Sequence, residues 1–145
     1  MSILQLHVRR AATVLALAAL LGACSHGPHH PGGHDVTLTG AQEVPANTST
    51  ASGSSSIRVA HDRSVSGGVR YTGMLATVAH IHEAPVGANG PVIVPLVKTA
   101  DGMFAVPAGT LLTPSQHASY QAGNLYVNVH SAAYPAGEIR AQLKP

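Results

Sequence analysis

The sequence predicts an all-β fold: an antiparallel Greek-key β-sandwich with one short helix. Two observations carry this prediction. The chain of 145 residues has 15 Gly and 10 Pro but only four Tyr, one Phe and no Trp. Short runs of Val and Ile also alternate with polar residues between turn-forming segments. About eight short strands joined by tight turns, within a single domain, account for both features.

Residues 1–23 predict a signal peptide of the lipoprotein type. A basic start is followed by an apolar run too short to span a membrane, and small residues mark its end. The segment Leu21-Gly22-Ala23-Cys24 resembles the bacterial lipobox, in which the Cys is lipidated. We therefore expect Cys24 to anchor the protein, and Ser25 in place of Asp favours the outer membrane. The expected location is the bacterial cell envelope, with the domain facing the periplasm or the cell surface.

Residues 24–34 form the predicted tether between the lipidated Cys and the domain. Pro and Gly dominate this stretch, which cannot form a core. It contains four histidines: His26, His29, His30 and His34. We interpret the stretch as a spacer, and a loose metal-catching tract is a second hypothesis for its histidines.

The charge balance argues against a nucleic-acid partner. Without the two Arg of the signal peptide, residues 24–145 contain six basic and six acidic residues. The sequence has neither a Lys/Arg cluster nor a series of aromatic residues that could stack on bases.

Alternation and turn residues place the elements of the domain, which we expect to span residues 35–145. The predicted strands cover residues 36–40, 50–60, 65–71, 75–83, 92–97, 103–106, 125–130 and 139–143. Pro95 interrupts the fifth strand and predicts an edge or a bulge there. The capping-box pattern Thr113-Pro114-Ser115-Gln116 predicts the helix near 114–121, which Gly123 ends.

Two histidines lie on one face of the fourth strand. His80 and His82 are two residues apart and so point the same way, about 6.5 Å apart along the strand. Ala79 and Ile81 point the other way, towards the core. The same alternation gives the outward residues of the last two strands, which we expect at the surface: Tyr126, Asn128, His130, Glu138, Arg140 and Gln142.

A third imidazole completes the candidate metal site. If the two His-bearing strands are neighbours, His80, His82 and His130 converge, and imidazole is a ligand suited to copper or zinc. The alternative is that the three side chains are ordinary polar surface residues whose rings bond to loop carbonyls. His117 in the predicted helix is a candidate fourth ligand. Glu83 either orients one of the imidazoles or pairs with an Arg.

Glu138 and Arg140 lie two residues apart on one strand face. We interpret them as a surface ion pair, which contributes little to stability.

Three segments together resemble the chordin-type (CHRD) domain over essentially all of residues 35–144. They are Gly40-Ala41-Gln42-Glu43-Val44-Pro45, the His80-Ile81-His82 strand with its Pro85 and Gly90-Pro91 loop, and Asn128-Val129-His130-Ser131 with the ending Tyr134-Pro135-Ala136-Gly137-Glu138-Ile139-Arg140-Ala141-Gln142-Leu143. Ala141 stands where the family pattern usually has Gly. The resemblance implies a β-sandwich of a kind found in bacterial secreted proteins, and it implies a fold more than a function.

A fainter similarity connects the chain to copper/zinc superoxide dismutases, which have a Greek-key β-barrel. His80, His82 and His130 match three copper-ligand types of that family in order. Residues 83–97 contain no further His or Asp, so the bridging His and the zinc cluster have no counterpart. The resemblance therefore implies a three-His copper or zinc site without support for redox cycling against superoxide.

The leading functional hypothesis is a lipid-anchored envelope module that binds copper or zinc for metal buffering or delivery. The alternative is a structural or protein-interaction module whose partner is another envelope protein. We do not expect an enzyme, and a dismutase-type activity is the weakest of the three hypotheses.

Overall fold

The computed structural model describes residues 33–145. The predicted signal peptide of residues 1–23, the lipidation site Cys24 and three of the tether histidines, His26, His29 and His30, lie outside the described residues. The first strand of the described residues begins at Val36.

Strands dominate the described part of the chain. They are β1 (Val36–Thr39), β2 (Ser52–Ser55), β3 (Arg58–Val59), β4 (Val65–Ser66), β5 (Gly68–Thr72), β6 (Ala76–Glu83), β7 (Val92–Pro95), β8 (Val97–Ala100), β9 (Met103–Ala105), β10 (Leu125–Ser131) and β11 (Ile139–Gln142). A short 3-10 turn follows β1 at Gly40–Gln42, and the α-helix α1 covers Pro114–Gln121. Within residues 33–145, no helix is long and apolar enough to cross a membrane.

The all-β, antiparallel class with one short helix is confirmed. Thr113 caps α1 through the full capping box, with Gln116 as its partner, and Pro occupies the first turn. The helix therefore lies where the local pattern predicted it. The expected strand 50–60 is divided into β2 and β3.

Nine strands form one sheet in the order β7-β6-β10-β11-β1-β2-β5-β9-β8, and β3 pairs with β4. The two edge strands β7 and β8 are consecutive in the chain, joined only by Leu96, whose N–H donates to the carbonyl of Ala79. The sheet must therefore curl until its edges meet, in a nearly closed barrel. The two layers of the expected sandwich are parts of this one curled sheet.

Pro95 explains why the predicted strand 92–97 becomes two strands. Proline has no N–H to donate, so it is tolerated at a sheet edge and interrupts the ladder there. β7 ends at Pro95, and its pairing with β6 shifts register between Ile81 and His82. The prediction of an edge or bulge at Pro95 is confirmed, whereas the single strand through Val97 was wrong.

β6 and β10 lie side by side in the sheet, and their register sets the candidate site. Ala79 pairs with Val129 and Ile81 with Val127, and these four side chains are at most 1% exposed. The apolar inner face fixes the phase of both strands, since a one-residue slip would put all four in water. It thereby also fixes which residues lie on the outer face.

Candidate metal centre

Three histidines meet on the outer face of β6 and β10. His80 pairs with Asn128 across the two strands, and His130 follows two residues later on the same face. One ring nitrogen from each of His80, His82 and His130 lies within 4.8 Å of the other two, so the trio could hold a metal ion. The convergence predicted from strand phase is confirmed.

One pair of ring nitrogens has the spacing of two ligands on a tetrahedral ion. Nδ1 of His80 lies 3.2 Å from Nε2 of His130. Two ligands of tetrahedral zinc, each about 2.0–2.1 Å from the ion, are roughly 3.3–3.4 Å apart. This pair is therefore already close to the required separation.

Two loop carbonyls orient the buried rings. Nδ1–H of His82 donates to the carbonyl of Gly90 and Nδ1–H of His130 to that of Pro135, both at 3.0 Å. Because a carbonyl oxygen only accepts, Nδ1 carries the proton in the neutral ring of His82 and Nε2 keeps the lone pair. His130 has an acceptor at each ring nitrogen, the Pro135 carbonyl at Nδ1 and Oδ1 of Asn128 at 2.9 Å from Nε2. Metal-ligating histidines show this arrangement, in which the second ring nitrogen is held by the protein. The loop-carbonyl contacts expected under the alternative interpretation thus also prepare the rings for a metal.

Nε2 of His82 is the unusual atom of the site. It is buried and has no hydrogen-bond partner among the described residues. Buried polar atoms without a partner are rare and costly, because such an atom has lost its contact with water and gained nothing in exchange. A metal ion ligated here would satisfy it.

Burial keeps the three rings neutral. It is the largest cause that lowers the pKa of each imidazole below the ordinary value of 6.5. Neighbouring histidines lower the pKa of His80 and His82 further, whereas the carbonyl contacts of His82 and His130 act in the opposite direction. With all three pKa values lowered, the neutral imidazole dominates at neutral pH. This is the form that binds metal ions.

The prediction that the outward residues of the last two strands lie at the surface was wrong. Tyr126, Asn128 and Arg140 are each only 2% exposed. The loop after β6 and the turn before β11 fold over this face, and alternation within strands gives no signal for such coverage. Tyr126 lies between its neighbours, with the ring of His82 stacked at 4.7 Å and the guanidinium of Arg140 at 3.4 Å from the ring centre.

The predicted surface ion pair between Glu138 and Arg140 was also wrong. Arg140 donates to the carbonyl of Ala88 at 2.8 Å and to Oδ1 of Asn89 at 3.1 Å. Glu138 is buried and accepts a hydrogen bond from the hydroxyl of Ser49. The two charged residues therefore anchor different loops instead of pairing with each other.

Glu43 is a buried carboxyl that the sequence did not mark as functional. It is 6% exposed, and its Oε1 has no hydrogen-bond partner among the described residues. Burial raises the pKa of Glu43 to about 7, against the opposing effects of Arg140, the Val44 backbone and Asn128. Its position in a turn motif gave no signal that strand β10 would lie beside it.

The remaining predicted site residues lie elsewhere. His117 is half-buried on α1 and does not join the trio, so its role as fourth ligand is not supported. Glu83, which we expected either to orient an imidazole or to pair with an Arg, accepts a hydrogen bond from the Ser119 hydroxyl at 2.5 Å. His34 is exposed, and its backbone N–H donates to the carbonyl of Lys144.

Comparison with known proteins gives one result. The CHRD domain family matches residues 35–143, which is most of the chain. Neither the curated proteins nor the solved structures include a significant match. The similarity to copper/zinc superoxide dismutases therefore stays a prediction. With the family matched across the whole described domain, the chain belongs to the CHRD domain family.

Proposed function

We propose that this protein is a lipid-anchored envelope module that binds copper or zinc at His80, His82 and His130. One observation carries the proposal: Nε2 of His82 is buried without a hydrogen-bond partner among residues 33–145, and it belongs to a trio of imidazoles whose ligand atoms lie within 4.8 Å of one another. Imidazole nitrogens suit both copper and zinc. Such a module would buffer or deliver the ion in the envelope.

The N-terminal segment supports this role from the sequence. Lipidation at Cys24 would hold the domain at the outer membrane, where one residue with several acyl chains gives firm anchoring. The tether histidines His26, His29, His30 and His34 would capture metal loosely near the domain. We propose binding rather than dismutase catalysis, because residues 83–97 contain no bridging His and no Asp.

Affinity measurements on single variants test the site. The full chain, purified in detergent with its four tether histidines changed to Ser, is titrated with zinc and copper in competition with a chelator. His82→Ala should weaken binding by more than about 100-fold, since even the outer partners of metal ligands contribute 10- to 100-fold. The control His61→Ala alters an exposed histidine and should leave affinity unchanged. Equal metal affinities in His82→Ala and His61→Ala would contradict the proposed site.

The alternative function, a protein-interaction module, also has one observation in its favour. Five of the six large hydrophobic side chains that are exposed in the described residues lie between positions 75 and 97. Leu75 is 91% exposed and Val97 54%. An envelope partner that binds the domain equally well with chelator present, and equally well in His82→Ala, would favour this second function.

A further inference from the structure

Asn128 lies in the middle of the histidine cluster. It is directly opposite His80 across the β6–β10 pair, where Cβ atoms are roughly 4.5–5.5 Å apart. It precedes His130 by two residues, and its side-chain Oδ1 lies 2.9 Å from His130 Nε2. Asn128 is thus paired across the strands with one histidine of the trio, and its amide contacts another.

The amide has a defined orientation. Its Nδ2 lies on the side of Glu43: both Nδ2 and Glu43 Oε1 crowd the point where a Cβ on Gly137 would sit, at 2.7 and 2.6 Å. A carboxylate only accepts hydrogen bonds, so it favours the NH₂ side of the amide and turns Oδ1 towards the histidines. Gly137 permits this arrangement because it has no side chain.

The cluster holds more acceptors than donors. The carbonyl of Gly90 takes the Nδ1–H of His82, which leaves a lone pair on its Nε2. The ring of His130 faces two acceptors, the Pro135 carbonyl at 3.0 Å from Nδ1 and Oδ1 of Asn128 at 2.9 Å from Nε2, and a neutral ring has one proton for the two. The neutral ring of His80 can supply at most one proton to the group. Acceptors that converge without donors are stabilised by a cation placed between them.

We propose that Oδ1 of Asn128 is the fourth ligand of the metal, completing a site of three imidazoles and one amide oxygen. The inference rests on the proposed metal-binding function and extends it to a residue outside the histidine set. Glu43 is then a positioning residue that holds the amide in the ligating orientation. Because an amide oxygen is a hard, neutral donor, the completed site favours a divalent ion, Zn²⁺ or Cu²⁺, over Cu⁺.

Cobalt(II) provides the spectroscopic probe. The full chain with its tether histidines changed to Ser is loaded with Co²⁺, and its visible d–d bands are compared between wild type, Asn128→Leu and Asn128→Asp. Asn128→Leu should shift the bands and weaken Zn²⁺ binding at least tenfold, whereas Asn128→Asp should restore affinity, since it keeps an oxygen at the same position. The control Asn124→Leu makes the same change of side chain at a half-buried position outside the histidine cluster and should leave the bands in place.

The outcomes separate the two proposals. No Co²⁺ or Zn²⁺ bound by the wild-type site would overturn the metal function itself. Normal metal binding with unchanged bands and affinity in Asn128→Leu would overturn only the role of Asn128. If Asn128→Leu fails to fold, Asn128→Asp tests the ligand role of residue 128. A carboxylate that ligates the ion must shift the Co²⁺ bands, whereas a carboxylate that does not ligate it leaves them unchanged.

Discussion

Replacement of Glu43 by Gln should make the domain more stable at pH 8 but not at pH 4.5. Burial raises the pKa of this carboxyl from 4.5 to about 7. At 1.36 kcal/mol for each unit, the ionised form costs the folded state roughly 3 kcal/mol. The folded carboxyl takes up a proton as the pH falls through about 7, while the unfolded chain does so only near 4.5. This cost is therefore absent below pH 4.5, grows as the pH rises, and is complete above pH 7.

The assay is chemical unfolding of wild type and Glu43→Gln at pH 4.5, 6 and 8, without metal. At each pH, the free energy of unfolding of the wild type is subtracted from that of Glu43→Gln. The value of this difference at pH 4.5 is then compared with its value at pH 8. We expect this change to approach 3 kcal/mol in favour of the variant. The lowered pKa values of the three histidines remove stability as the pH falls below 6.5, but both proteins share that effect and it cancels.

A control and a contrary result make the test strict. Asp101→Asn removes the same charge from a fully exposed side chain whose ion-pair partner is the surface residue Lys98, and it reports the effect of net charge. If Glu43→Gln and wild type differ by the same amount at every pH, burial does not penalise this carboxylate. That result would contradict the raised pKa of Glu43.

Two further predictions concern the loops that cover the site. Gly137→Ala should lower the free energy of unfolding by about 2–4 kcal/mol, because its Cβ would clash with the buried carboxylate of Glu43. The control Gly109→Ala is also at positive φ but has no neighbour within 4 Å, so it should cost only about 1 kcal/mol. Equal losses for the two variants in denaturant unfolding would contradict the clash. Arg140→Met should lower the free energy of unfolding by about 2–4 kcal/mol, since two loop acceptors lose their donor and a cation–π contact disappears. The control Arg70→Met alters an exposed arginine and should change the free energy of unfolding by less than about 0.5 kcal/mol. Similar unfolding curves for the two Arg variants would show that the buried guanidinium does not hold the loop.

Local patterns were enough to predict the helix and the histidine face. The capping box at Thr113 is complete within four residues, so no distant contact was needed to place α1. The phase of His80, His82 and His130 followed from apolar neighbours that alternate with them, and the buried inner face made that phase reliable.

Contacts between distant segments could not be predicted in this way. Arg140 was expected in solvent because its strand alternates, yet a loop some 50 residues earlier covers it. Glu43 lies beside Asn128 only because the sheet curls and brings the turn after β1 against β10. Pro95 indicated an edge, but the single residue that connects the two edges became evident only from the completed sheet.

The most direct test of the central claim is metal content after dialysis. The full chain with its four tether histidines changed to Ser is loaded with Zn²⁺ or Cu²⁺, dialysed and analysed for metal, next to the same protein carrying His130→Ala. Our account predicts that one equivalent is retained by the first protein and lost from the second. Retention of no metal by the first protein would contradict the account and make the interaction module the function to pursue.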